Sequence, residues 1–91
     1  MEKQAKLITF VGTVQGVGFR YTAHRIATHY ELTGYVRNLF DGGVEMLAQG
    51  HSDDIADCIE DLKQSFGQYI RNIDIKDIEP DEQYSEFTIR V

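Results

Sequence analysis

Hydrophobic and polar positions alternate with two different periods along the chain. Leu7 to Val14 carries apolar residues on both sides of a period of two, Ile8 and Phe10 on one face and Leu7 and Val11 on the other. That pattern predicts a central, well-covered strand. From Phe19 to Tyr30 the period lengthens. Ala23, Ile26, Ala27 and Tyr30 share one stripe while His24, Arg25, Thr28 and His29 fall outside it, which predicts an amphipathic helix. Thr33 to Asn38 and Val44 to Gln49 return to strand character on either side of the turn Asp41-Gly42-Gly43, so they form a hairpin. Ser52 is the expected N-cap of a second helix from Asp53 to Phe66, with Ile55, Cys58, Ile59, Leu62 and Phe66 inward and Gly67 as its stop. Tyr69 to Lys76 alternates through Ile73 and Ile75, Glu79 to Glu82 is a polar loop, and Phe87 to Val91 closes the chain as a short strand. The order β-α-β-β-α-β with an added last strand is the α+β, ferredoxin-like split βαβ arrangement. It predicts two helices on one face of an antiparallel sheet. No repeat, linker or low-complexity stretch divides the chain, so residues 1–91 are expected to be a single domain.

Charge narrows the classes of partner. The formal net charge is -6, which argues against a nucleic-acid surface, since that needs a basic face. A small anion is compatible with a local cluster of cations, because exposed charges farther than roughly 8 Å are screened at physiological salt. Arg20, Arg25 and Arg37 are the expected members of that cluster. The acids Asp53, Asp54, Asp57, Glu60 and Asp61 form a solvated helix face. The single cysteine, Cys58, rules out an internal disulfide and sits on the inner helix stripe, where a buried, unreactive thiol is expected. There is no signal-peptide pattern and no apolar run of bilayer length. A cytoplasmic protein that does not enter membranes is expected.

The candidate chemistry lies between the first strand and the first helix, in Gly12-Thr13-Val14-Gln15-Gly16-Val17-Gly18-Phe19-Arg20. The first turn of a helix has N–H groups without internal partners, and the helix dipole makes that end positive. Together they attract anions. Gly16 and Gly18 permit backbone conformations and close approaches that a Cβ hinders, and Arg20 adds a planar fork suited to phosphate oxygens. The loop is therefore expected to hold a phosphoryl group. His24, His29 and His51 lack metal-site spacing and are expected at the surface, and Phe19 and Tyr21 are expected to pack. Neither a metal site nor a cofactor is expected.

Gly12 to Tyr21 resembles the signature loop of the acylphosphatases. Gly34-Tyr35-Val36-Arg37-Asn38-Leu39 resembles their second motif, continued by Asp41-Gly42-Gly43-Val44-Glu45, and Tyr84-Ser85-Glu86-Phe87-Thr88-Ile89 is similar to their ending. The resemblance implies hydrolysis of an acyl phosphate to a carboxylate and inorganic phosphate. It implies that Arg20 and the N–H groups of Gln15, Gly16, Val17, Gly18, Phe19 and Arg20 bind the phosphoryl group, and that Asn38 positions the attacking water. Thr13, Leu39 and Phe40 depart from the family pattern and bear on substrate preference. The chemistry agrees with this. A carboxylate (pKa about 4) leaves without a general acid, so a site lacking a nucleophilic cysteine or a loop histidine suits an acyl phosphate and not a phosphomonoester. A monomer acting on a small molecule is expected. The rival readings are an anion-sensing module, an RNA-binding sheet, and a domain of a larger carbamoyl-transfer protein.

Overall fold

A computed structural model describes residues 3–91, which form β1 (Gln4–Gly12), α1 (Phe19–His29), β2 (Thr33–Asn38), β3 (Val44–Gly50), α2 (Ser52–Phe66), β4 (Ile70–Ile78) and β5 (Phe87–Arg90). The strands make one sheet in the order β4-β1-β3-β2-β5. Ile8 and Phe10 of β1, Val36 of β2, and Val44, Met46 and Ala48 of β3 pack with Phe19, Ala23, Ile26 and Ala27 of α1 and Ile55, Cys58, Ile59, Leu62 and Phe66 of α2 in one buried cluster. The core therefore lies between the sheet and a layer of helices, as the ferredoxin-like pattern requires. No helix among the described residues is long and apolar enough to cross a membrane.

Several boundaries differ from the pattern-based expectation. Strand β1 begins at Gln4 and ends at Gly12, because Gln4 to Lys6 pair with Gly50 to Ala48 on one side and Lys6 also faces Asp77 on the other. Lys6 and Asp77 complete that pairing as an ion pair. Sheet neighbours thus recruit polar residues that carry no strand signal of their own. Helix α2 is capped by His51 instead of Ser52: the His51 Nδ1 accepts from the Asp53 N–H at 3.2 Å, and Ser52 is already helical. Gly67 follows the helix with φ -52°, so it ends there without the left-handed glycine that usually marks such a stop.

The sheet is mixed. β1 pairs antiparallel with β3 and β4, and β2 pairs antiparallel with β3, but β5 runs parallel to β2. β4 and β5 lie on opposite edges, so residues 79–86 span about 19 Å, four strand spacings of ~4.8 Å. An extended segment of that length reaches about 27 Å. The crossing runs under the face away from the helices. There the buried Gln49 side chain donates to the Asp81 carbonyl at 2.8 Å and accepts from the Asp81 N–H at 2.9 Å. A buried carboxamide is costly unless both its ends are bonded, and this pairing satisfies both. It also ties the crossing segment to the sheet between β4 and β5.

Candidate active site

The loop from Thr13 to Gly18 joins β1 to α1 and opens onto a cavity of about 270 Å³ lined by Val14, Gly16, Gly18, Phe19, Arg20, Tyr21, Asn38 and Ile89. Gly16 and Gly18 both have φ +80°, and a Cβ on either would meet no atom within 4 Å. The requirement for glycine here is thus conformational, since side-chain-bearing residues rarely adopt that φ; no protein atom crowds these positions. Gly18 is also the N-cap of α1, which has no side-chain cap and no acidic residue in its first turn. The first internal bond of the helix runs from the Thr22 N–H to the Gly18 carbonyl at 3.1 Å, and no N–H of residues 15–21 donates to a protein acceptor among the described residues. This helix end is left with its partial positive charge uncompensated.

Phe19 contributes main chain only. Its ring is buried with its centroid 4.8 Å from that of Phe10 and 4.8 Å from that of Phe66, which anchors the start of the helix in the core. Arg20 follows on the open side. Its Nη1 donates to the Arg90 carbonyl of β5 at 3.1 Å, and no carboxylate pairs with it among the described residues. The guanidinium is held in position by a neutral acceptor and keeps its charge available. Asn38 reaches the same cavity from the end of β2. Its cross-strand partner is the buried Val44, so it lies on the helix side of the sheet.

Of the residues singled out from sequence, Gly16, Gly18, Phe19, Arg20 and Asn38 line the cavity, whereas Gln15 and Val17 do not. Val17 packs against the core cluster. The Gln15 side chain turns toward the hairpin, donating from Nε2 to the Leu39 carbonyl at 2.7 Å and the Gly43 carbonyl at 2.8 Å. Its carboxamide straps the glycine loop to the turn that follows Asn38. The expected cation cluster reduces to Arg20. Arg37 lies one residue from Asn38 and therefore on the opposite face of the strand, where its Nε donates to Glu45 Oε1 at 2.8 Å. That bond with Glu45 raises its pKa above the ordinary arginine value. Arg25 is exposed and lies outside the cavity lining.

Three participants were not legible as such in the sequence. Tyr21, expected to pack, is 69% exposed and walls the cavity; its place off the buried stripe of α1 was the available signal. Ile89 and the Arg90 carbonyl arrive on β5, and no local pattern ties that strand to the loop. Cys58 is buried, and burial together with nearby Asp61 pushes its thiol up to about 12, so it is protonated and inert at neutral pH. No group of three or more His, Cys, Asp or Glu residues is arranged to hold a metal ion among the described residues.

The fold and cleft together define a ferredoxin-like α+β domain whose one lone cation and one carboxamide meet at an uncapped helix start. The family model for acylphosphatase matches residues 6–89. The acylphosphatase of Ligilactobacillus salivarius is 40% identical over 89 residues, covering 96% of this chain and 97% of that protein. A solved acylphosphatase from Coxiella burnetii superposes with TM-score 0.87 at 35% identity, covering 97% of this chain and 93% of that one. The HypF protein of T. kodakarensis superposes with TM-score 0.84 at 38% identity over 97% of this chain, which corresponds to 12% of that protein. The chain belongs to the acylphosphatase family, and its activity is the hydrolysis of acyl phosphates.

Proposed function

We propose that this cleft cleaves the phosphorus–oxygen bond of an acyl phosphate by direct attack of water. The N–H groups of Gly16, Gly18, Phe19 and Arg20, with the Arg20 guanidinium, hold the phosphoryl oxygens, and the Asn38 carboxamide orients the water; Gln15 and Val17, outside the cavity lining, hold the loop in shape. The water oxygen bonds to phosphorus while the bond to the acyl oxygen breaks. The carboxylate departs with that electron pair, and the proton of the attacking water ends on a phosphate oxygen. A phosphoryl transition state of this kind is loose, so positioning and charge stabilisation supply most of the rate. Asn38 has no proton affinity near neutral pH, which suits it to orient the water and not to serve as a base. A carboxylate leaving group is already a weak base, so the reaction needs no general acid. Neither metal nor covalent intermediate enters the scheme.

The observation that supports this reading is the meeting of an uncapped helix start, an arginine without an acidic partner among the described residues and Asn38 of a distant strand around one cavity. The test is phosphate release from acetyl, carbamoyl and benzoyl phosphate beside a phosphomonoester, with and without a chelator, in water enriched in heavy oxygen. Release from the acyl phosphates alone, insensitive to the chelator and with the label in phosphate, is expected. Label in the carboxylate would place the attack at carbon and overturn the scheme.

A further inference from the structure

The cavity lining is part polar and part apolar. Gly16, Gly18, Arg20 and Asn38 supply the polar part, and Tyr21 and Ile89 are the exposed apolar side chains beside them. Tyr21 is 69% exposed and Ile89 41% exposed, and neither joins the buried core. An aromatic ring and a branched aliphatic side chain kept together in water beside an anion site are poorly explained by folding, because burial is what normally rewards such groups. The arginines of β2 and β5 are committed elsewhere. Arg90 follows Ile89 and points to the other face of the sheet, its guanidinium carbon 4.0 Å from the centroid of the Tyr35 ring. Arg37 is on that same face, bonded to Glu45. Among the described residues, a ligand whose phosphoryl group is held by Arg20 therefore meets no second positive group in the cavity lining, only apolar side chains.

We infer that Tyr21 and Ile89 form the subsite for the acyl group, and that the preferred substrates are acyl phosphates with an uncharged, apolar acyl moiety of modest size. A single aromatic ring or a short aliphatic chain fits this description; an acyl group bearing a second anion does not. The inference rests on the phosphoryl-end reading given above. Apolar walls discriminate through contact area, and the loss of one such contact is worth roughly tenfold or more in kcat/KM.

The experiment compares kcat/KM for benzoyl, acetyl and succinyl phosphate in the wild-type protein, in Tyr21→Ala and in Ile89→Thr, which keeps the β-branch suited to its strand. The wild type is expected to favour benzoyl over acetyl over succinyl phosphate. Each variant is expected to lower the benzoyl-to-acetyl ratio about tenfold, while competitive inhibition by inorganic phosphate shifts less than twofold. A wild-type preference for succinyl phosphate, or variants that slow benzoyl and acetyl phosphate equally, would overturn the acyl subsite while leaving the phosphoryl site standing. Failure of the wild type to release phosphate from any of the three would remove both readings together.

Discussion

The two helices of this domain begin in opposite ways. At α2 the first turn carries Asp53 and Asp54, and the His51 imidazole accepts from the Asp53 N–H. Its positive end is neutralised by the chain itself. At α1 the cap is a glycine with φ +80°, no side chain accepts from the first turn, and no acid lies within it. The residue that follows, Arg20, adds charge of the same sign. Both helices pack on the same sheet, so core burial does not demand this difference. Uncapped N–H groups and a missing first-turn carboxylate each forgo roughly 0.5–1 kcal/mol of helix stability. A helix start that forgoes its own stabilisation in this way is what the proposed anion site requires.

The strongest way to break the comparison is at Arg20. If α1 is the anion end, Arg20→Ala removes a charged donor used in the transition state. A loss of about 3 kcal/mol in transition-state stabilisation, or more than 10²-fold in kcat/KM, is expected by analogy with oxyanion-donor deletions. Arg20→Lys should recover little of it, because an ammonium lacks the two-pronged geometry and the bond to the Arg90 carbonyl is set for a guanidinium. Wild-type turnover of benzoyl phosphate by Arg20→Ala would end the assignment. Asn38→Ala comes next. It should lower kcat by about 10²-fold, as loss of a positioned reactant does, while inorganic phosphate still inhibits competitively. If phosphate binding vanished and kcat survived, the two roles would have to be exchanged.

How far the sequence allowed this contrast to be foreseen differs between its two halves. The helices were legible because Ala23, Ile26 and Ala27, and likewise Ile55, Cys58, Ile59 and Leu62, repeat at helical spacing whatever their surroundings. Arg20 and Asn38 were legible through a paired motif, and their meeting in one cavity needed only the split βαβ order. Arg37 could have been set aside from alternation alone, since a strand residue next to Asn38 must face the other way. The search for local cations in an acidic chain drew it into the expected cluster instead. His51 was missed because Ser52 is the commoner capping residue and both fit the pattern. β5 was the least legible element. Alternation tells which face a strand presents and says nothing about its neighbour. The parallel pairing with β2, and with it Ile89 and the Arg90 carbonyl, comes from contacts far apart in sequence, among them Gly34 with Glu86 and Gln49 with Asp81.

The other helix start supplies the control. His51→Ala should cost about 1 kcal/mol of stability, the usual cost of losing a cap, measured as a shift in the urea midpoint at unchanged slope. Its kcat/KM for benzoyl phosphate should match the wild type, since His51 does not line the cavity. A drop in turnover of the size expected for Asn38→Ala would mean that the two helix starts are not independent, and the contrast between them would lose its meaning.

The smallest effect is the most discriminating, because it makes α1 resemble α2. Tyr21 is exposed and stands in the uncapped first turn, so Tyr21→Glu places a carboxylate where α2 already has its own. The helix dipole then gains a partner, and stability should rise by about 0.5 kcal/mol. The same carboxylate opposes any anion in the cleft. Two unit charges ~8 Å apart in water repel by about 0.5 kcal/mol, and more where solvent is partly excluded. Competitive inhibition by inorganic phosphate should therefore weaken about threefold, and both effects should shrink in high salt. The two measurements must move in opposite directions. A urea midpoint that rises while phosphate inhibition is unaltered would show that the cleft does not use this helix end, and the anion would then owe its place to Arg20 alone.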